Sequence, residues 1–87
     1  MKKTDTQNRQ ILEYMVRGKR ITALGALQLF KSFRLSARIY DLRQMGVVIE
    51  RGITTDGIAH FAEYWIEHEH KAKAREILDS LSNLSKT

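Results

Sequence analysis

Between residues 11 and 46 the apolar side chains recur at helical spacing in three consecutive segments, and this pattern restricts the fold more than any other feature of the chain. It predicts helices over residues 5–17, 23–30 and 33–45, with Thr22 as the N-cap of the second helix and Gly46 just beyond the third. The apolar positions that carry the pattern are Ile11, Leu12, Met15, Leu24, Leu27, Phe30, Leu35, Ile39 and Leu42.

Gly25 lies inside the second predicted helix, where glycine costs about 1 kcal/mol relative to alanine. We expect that another backbone approaches the helix closely at this position, since only glycine leaves room for such a contact.

A different pattern follows Gly46. Residues 47–51 are mostly β-branched, Asp56-Gly57 is a strong turn signal, and residues 59–66 are rich in aromatic side chains, which together predict a β-hairpin. From residue 67 the composition changes to Glu, His, Lys, Ala and Leu without glycine, and a narrow apolar stripe predicts a C-terminal helix.

The predicted elements give a mainly α fold with a small β-hairpin. Helix, short extended bridge, helix, tight turn, helix and hairpin is the order of a winged helix-turn-helix domain, a three-helix core plus a wing whose third helix enters the DNA major groove. We therefore expect a winged helix-turn-helix domain over residues 1–66 and an extra C-terminal helix over residues 67–87.

The middle of the chain also resembles a known family. Residues 21–30 read ITALGALQLF and residues 33–46 read FRLSARIYDLRQMG. This resembles small winged helix-turn-helix proteins common in phages and prophages, with the pattern ITxxEALxxFxxxRLxxRIxxLRxxG, over about residues 7–66. The resemblance implies sequence-directed DNA binding in phage regulation or recombination. Gly25 departs from the family's usual Glu, and the wing is less basic than many.

The length and composition of the chain exclude several classes of protein. A chain of 87 residues closes one modest core, and because it has no cysteine it has neither disulfides nor a thiolate nucleophile, which favours a reducing, cytoplasmic setting. No run of 18 apolar residues predicts a membrane span, and the polar start does not predict a signal peptide.

Catalytic and metal-binding patterns are weak. Two histidines at i and i+2 in Glu67-His68-Glu69-His70 do not share a helical face, so the alternative of a metal site is disfavoured. No nucleophile motif and no phosphate-binding glycine loop is present. We expect no enzyme activity, no cofactor and no metal.

The charges are unevenly distributed. Residues 1–51 carry eleven basic and four acidic side chains, a net +7, whereas residues 52–87 carry four basic and six acidic ones, a net −2. Such a division favours a polyanion as the partner of one face. An ordinary basic surface that keeps the protein soluble is the alternative.

The third helix carries the candidates for base recognition. Its apolar residues point inward, so a helical wheel places polar and aromatic residues on the opposite face, and Arg34 lies in the first turn, where recognition helices meet base edges. Arg38 and Asp41, at i and i+3, could instead pair with each other. The predicted base-reading residues are Arg34, Ser36, Tyr40, Arg43 and Gln44.

Phosphate contacts are expected from the segments that flank this helix, because such contacts set the register without reading sequence. The candidates are hydroxyl and basic side chains, each of which has a solvated surface residue as its alternative. They are Lys19, Arg20, Thr22 and Lys31 around the second helix and Arg51, Thr54 and Thr55 in the wing.

The apolar stripe of the C-terminal helix needs a partner surface, since burial of each large aliphatic side chain contributes about 1.5–3 kcal/mol. We expect a homodimer, which suits operators with two half-sites. Packing on the helix's own domain is the alternative. The stripe consists of Ala74, Ile77, Leu78, Leu81 and Leu84.

These observations favour a sequence-specific double-stranded DNA-binding protein, either a phage or prophage transcriptional regulator or a recombination accessory factor. The alternative is a winged-helix protein-interaction module that binds a host protein or a nucleoprotein complex. The salt dependence of binding distinguishes the two, because release of counterions from phosphates makes DNA binding steeply salt-dependent.

Overall fold

The computed structural model describes residues 3–84, and the side chains of all of these except 3, 4, 56, 83 and 84. This part of the chain forms four α-helices, three β-strands and a short 3-10 turn. In chain order they are α1 (Lys3–Val16), β1 (Ile21–Thr22), α2 (Ala23–Phe30), α3 (Leu35–Gln44), β2 (Glu50–Asp56), β3 (Ala59–Trp65), the 3-10 turn His68–His70 and α4 (Lys71–Leu84).

The ends of α2 and α3 are set by local signals that the sequence contains. The Thr22 side-chain oxygen accepts a hydrogen bond from the Gly25 amide at 3.2 Å, which confirms the predicted N-cap and starts α2 at residue 23. After α3, Gly46 has φ +103°, and its amide donates to the Arg43 carbonyl at 3.0 Å while the Val47 amide donates to the Leu42 carbonyl at 3.1 Å. This pair of bonds is a Schellman motif, so Gly46 ends the helix as predicted.

The prediction of a close backbone approach at Gly25 is wrong. A Cβ added there would meet only the Thr22 Oγ1 at 3.4 Å and the Ile21 Cγ1 at 4.0 Å, both side-chain atoms at ordinary contact distance. No contact in the structure therefore requires a glycine at this position.

The sheet is antiparallel with the strand order β1-β3-β2, so the predicted hairpin of β2 and β3 is confirmed and gains β1 as a third strand. The predicted start of the first hairpin strand at Val47 is wrong, because pairing begins at Glu50, opposite Trp65. Val47 and Ile49 are buried in the connection after α3 instead. Their β-branched side chains pack in the core, which a strand pattern does not distinguish from pairing in a ladder.

One hydrophobic core joins the helices to the inner face of the sheet. Ile11, Leu12 and Met15 of α1 are fully buried, and they pack with Leu42 of α3 and Ile21 of β1 in the same cluster. The three apolar residues of α3 that define the helical pattern are all buried, so its opposite face is directed outward. The fold is therefore a winged helix-turn-helix core with a C-terminal helix, as the sequence predicts.

The apolar stripe of α4 packs within its own chain. Ala74 is 1% exposed and belongs to the common core, while Ile77, Leu78 and Leu81 are half-buried against it, with α1 as the main contact of the helix. The side chain of Leu84 lies outside the described ones. Packing within the chain, the alternative to a homodimer, thus accounts for the burial of the stripe. The homodimer was inferred because the stripe needed a partner surface, and α1 supplies that surface. The predicted boundary at residue 66 lies between β3 and the 3-10 turn, but α4 shares the core of the preceding elements.

Candidate nucleic-acid interface

The outward face of α3 carries a stripe of three predicted base-reading residues. Ser36, Tyr40 and Gln44 are spaced four residues apart, so they follow one another along the same side of the helix, and all three are exposed. Tyr40 is 63% exposed. The stripe presents a hydroxyl group, a phenol and a carboxamide, each of which can donate or accept a hydrogen bond at a base edge.

Arg34 is the N-cap of α3, one residue before the helix proper. Its carbonyl accepts the amide hydrogens of Ala37 and Arg38 at 3.1 and 3.2 Å, whereas its side chain makes no capping hydrogen bond. The exposed guanidinium therefore stands at the N-terminal end of α3 without a role in holding the helix. This is the end at which recognition helices contact bases.

Arg38 has a structural role, the alternative that its spacing to Asp41 allows. Its guanidinium lies 3.0 Å from the Asp41 carboxylate, and the side chain is only 14% exposed. The Asn8 side-chain amide of α1 donates to the same Asp41 oxygen at 3.3 Å. These contacts join α3 to α1 and hold the orientation of its outward face.

Arg43 has a partner that the sequence does not reveal. Its Nη2 donates to the Ile49 carbonyl at 2.7 Å, a partly buried bond between α3 and the segment that leads into β2. The guanidinium thus connects α3 to the base of the wing. Base reading by Arg43 stays a prediction that this contact disfavours, because a guanidinium held by a backbone carbonyl is displaced from the groove-facing stripe.

Lys31 and Thr22 lie at the two ends of α2. Lys31 is exposed and adopts a left-handed conformation with φ +58° at the C-cap, and its carbonyl accepts a hydrogen bond from the Gln7 side chain of α1 at 3.4 Å. The turn that it begins leads directly to Arg34. Thr22 is half-buried, and its oxygen already accepts the Gly25 amide, which leaves its hydroxyl hydrogen for an outside acceptor.

Lys19 and Arg20 lie beside aromatic rings rather than beside α3. The Lys19 ammonium is 5.9 Å from the centre of the Tyr14 ring. The Arg20 guanidinium is 4.1 Å from the centre of the Trp65 ring and 3.2 Å from the Glu63 carboxylate. Glu63 and Trp65 alternate along β3 with the buried Tyr64, so Arg20 is on the face of the sheet away from the helices. Phosphate binding by Arg20 stays a prediction, which its contacts with Glu63 and the Trp65 ring disfavour.

The three wing candidates are divided between the two faces of the sheet. Arg51 pairs with Tyr64 and Thr55 with His60, which places both on the face that packs toward the helices. Thr54 pairs with Phe61 and faces the other way. Arg51 and Thr55 are both exposed, so the helix-side face of the wing carries the one basic group of β2.

A groove of about 360 Å³ lies between the start of α3 and β3. It brings a predicted base-reading arginine and serine next to residues that the sequence analysis did not select. Its lining includes Phe33, Arg34, Ser36, His60, Phe61 and Tyr64. Phe33 is 82% exposed. Helical periodicity cannot identify such a residue, because an aromatic side chain in a turn has no repeat to show whether it is buried.

Two other kinds of site are absent from the described residues. No helix in residues 3–84 is long and apolar enough to cross a membrane. No group of three or more His, Cys, Asp or Glu side chains in the described part of the chain is arranged to hold a metal ion.

Comparison with known proteins gives one match. No curated protein and no solved structure matches the chain. A family model described as a winged helix-turn-helix domain matches residues 6–69, which include most of α1 together with α2, α3 and all three strands. The match extends over well over half of the chain, and its fold is the one observed. The chain belongs to the winged helix-turn-helix domain family.

Proposed function

We propose that this protein is a non-enzymatic, sequence-specific double-stranded DNA-binding protein that reads the major groove with α3. A winged helix-turn-helix domain itself indicates DNA binding. The observation that carries the proposal is the outward face of α3, where Ser36, Tyr40 and Gln44 form an exposed stripe and the exposed Arg34 lies at the N-terminal end of the helix. An α-helix fits the major groove, and arginine, glutamine and serine make hydrogen bonds with base edges there.

Phosphate contacts are assigned to the residues that flank this stripe. Lys31 lies in the turn just before α3. Thr22 is the N-cap of α2, so its hydroxyl group and the N-terminus of that helix lie together. Arg51 and Thr55 are exposed on the helix-side face of the wing. In this proposal α2 and its turn supply the contacts to one stretch of backbone and the wing supplies those to the other, while α3 lies in the groove between them.

The biological role that we propose is regulation of transcription or assistance in recombination, of the type found in phages and prophages. It rests on the resemblance of residues 21–46 to small phage proteins of this fold. Control of a promoter and assembly of a recombination complex both require a small protein that marks one DNA sequence.

Selection of bound sites from a pool of random duplexes tests the proposal. We expect enrichment of one motif, with specific binding stronger than non-specific binding by about three orders of magnitude or more. Affinity for the motif should fall steeply with salt, because several phosphates are neutralised. A pool that enriches no motif in repeated rounds at low salt would contradict sequence-specific binding.

A protein-interaction module is the second candidate, and one observation favours it. Leu24 and Leu29 of α2 are 53% and 54% exposed, so α2 presents apolar area to solvent outside the α3 stripe. Exposed apolar area on one short helix is a candidate site of protein contact. Binding to a host protein through this surface would change little between low and high salt and would be lost in a Leu24→Asp, Leu29→Asp double variant, whereas DNA binding through α3 would survive it.

A further inference from the structure

Phe33 stands apart from the other aromatic residues of the fold. It is 82% exposed, lies outside the hydrophobic core, and belongs to no aromatic ring pair in the described part of the chain. Phe30, three residues earlier, by contrast packs edge-on against Tyr14 at 5.7 Å. The exposed ring is therefore accessible to a partner, and its position in the fold decides whether it has a role in binding.

The position of Phe33 is beside the proposed reading surface. It directly precedes Arg34, the N-cap of α3, and it lines the groove that also contains Ser36 and Phe61. A helix that enters the major groove places its N-terminal residues nearest the base edges. Phe33 is therefore carried to the bases together with Arg34.

We propose that Phe33 is a specificity-determining residue that contacts the 5-methyl group of a thymine in the major groove. The inference rests on the proposed function and names the base that this part of the site selects. Of the groups that base pairs present in the major groove, the thymine methyl is the apolar one, and phenylalanine is among the residues that contact it. A phenyl ring has no hydrogen-bonding group, so it cannot read guanine or adenine as Arg34 or Gln44 can.

The chemistry of the neighbours favours this base over a backbone contact. Arg34 and Ser36 supply the polar groups at the start of α3, and Lys31 supplies the cation in the preceding turn. Polar and charged groups for phosphate contact are thus present beside Phe33. The large exposed apolar side chains of the groove are Phe33, 82% exposed, and Phe61, 37% exposed, so Phe33 offers a base methyl group the more accessible ring. Burial of that methyl against the ring removes apolar area from water on both sides.

Replacement of thymine by deoxyuridine tests the proposal, because it deletes the methyl group and leaves every hydrogen bond of the base pair in place. Each thymine of the selected motif is replaced in turn, and the full-length protein is titrated with each duplex. We expect one or two positions at which deoxyuridine weakens binding about three- to fivefold, the size expected for one buried methyl group. In Phe33→Ala the same positions should show equal affinity for thymine and deoxyuridine.

Two variants serve as controls. Ile58→Ala removes an apolar side chain of the wing turn that is 97% exposed, and Tyr40→Ala removes the exposed ring on α3 itself. Both should keep the thymine-to-deoxyuridine ratio at the Phe33-dependent positions. All three changed side chains are exposed, so melting temperatures should match that of the unchanged protein.

The outcomes separate this inference from the proposed function. A motif whose binding is insensitive to deoxyuridine, or whose sensitivity persists in Phe33→Ala or disappears in Tyr40→Ala, would overturn the role of Phe33 while DNA recognition by α3 stands. If no duplex bound at all, the result would instead overturn the proposed function, and the role of Phe33 with it.

Discussion

Arg43 and Gln44 are adjacent in the sequence and both exposed, yet the fold uses them differently. The Arg43 guanidinium donates to the Ile49 carbonyl at 2.7 Å, across the junction of α3 and the wing, whereas Gln44 continues the outward stripe of α3. Removal of a charged donor from a partly buried carbonyl leaves that acceptor without its partner. Stability therefore depends on one of these neighbours, and recognition is assigned to the other.

This difference predicts that replacing Arg43 destabilises the fold while replacing Gln44 does not. Arg43→Ala should lower the free energy of unfolding by about 1 kcal/mol, which is below the usual range for a charged hydrogen bond because the side chain is partly solvated. Gln44→Ala should change it by less than about 0.5 kcal/mol. Urea unfolding followed by the fluorescence of Trp65, the single tryptophan, measures both. Equal stabilities of the two variants would mean that the bond to Ile49 contributes nothing in solution.

Gly25 gives a second prediction for a single residue. Only side-chain atoms at 3.4 Å and beyond would meet a new Cβ there, so alanine fits without displacement. Gly25→Ala should raise the free energy of unfolding by about 0.5–1 kcal/mol, because alanine loses less conformational entropy in a helix. Thermal unfolding of the variant checks this, and a lower melting temperature would show that a close contact is present after all.

At the scale of elements, the helix boundaries were predicted correctly where a local signal in the sequence begins or ends a helix. Thr22 caps the start of α2 and Gly46 ends α3, so a residue next to each boundary determines where the helix begins or ends. The first hairpin strand was misplaced because Val47 and Ile49 are β-branched yet buried outside the ladder. Strand β1 has two residues and pairs with β3 some forty residues later, which no local pattern can predict.

The packing of α4 gives the prediction for this scale. Ala72 and Ala74 lie on the same helix, but Ala74 is 1% exposed in the core while Ala72 is exposed. Ala74→Glu buries a charge without a partner and should cost about 3 kcal/mol or more, whereas Ala72→Glu should stay within about 0.5 kcal/mol. Circular dichroism during thermal unfolding compares them.

The same pair of variants separates the two uses of the α4 stripe. If Ala74→Glu left the melting temperature unchanged and only reduced the sedimentation coefficient, α4 would act between protomers, as the homodimer prediction requires. A large loss of stability with an unchanged sedimentation coefficient is the result that packing on α1 predicts.

At the scale of the whole molecule, the uneven distribution of charge along the sequence indicates a nucleic-acid partner. It does not indicate which basic side chains are free to contact that partner. Eleven basic residues lie in residues 1–51, and pairing removes several from the interface: Arg38 is held by Asp41, and Arg20 by Glu63 and Trp65. These partners lie on distant segments or depend on side-chain orientation, so periodicity could not assign them. Ser36, Tyr40 and Gln44 were predictable because they lie opposite a regular apolar face.

The central claim is that α3 reads bases while the turn before it binds phosphate, and Arg34 and Lys31 are the pair that tests it. Arg34 makes no capping bond, so Arg34→Ala leaves the start of α3 intact. Alanine at position 31 keeps the left-handed conformation at similar cost, so Lys31→Ala also preserves the fold. Unchanged melting temperatures of both variants are the control.

Titration of the selected motif and of a scrambled duplex at several salt concentrations is the most direct measurement. Arg34→Ala should lose about 1–3 kcal/mol of binding free energy on the motif and much less on the scrambled duplex, with relaxed preference at one base position. Lys31→Ala should weaken both duplexes about equally and reduce the slope of log K against log salt by about one. Equal losses on both duplexes for Arg34→Ala would contradict base reading by the N-terminal end of α3.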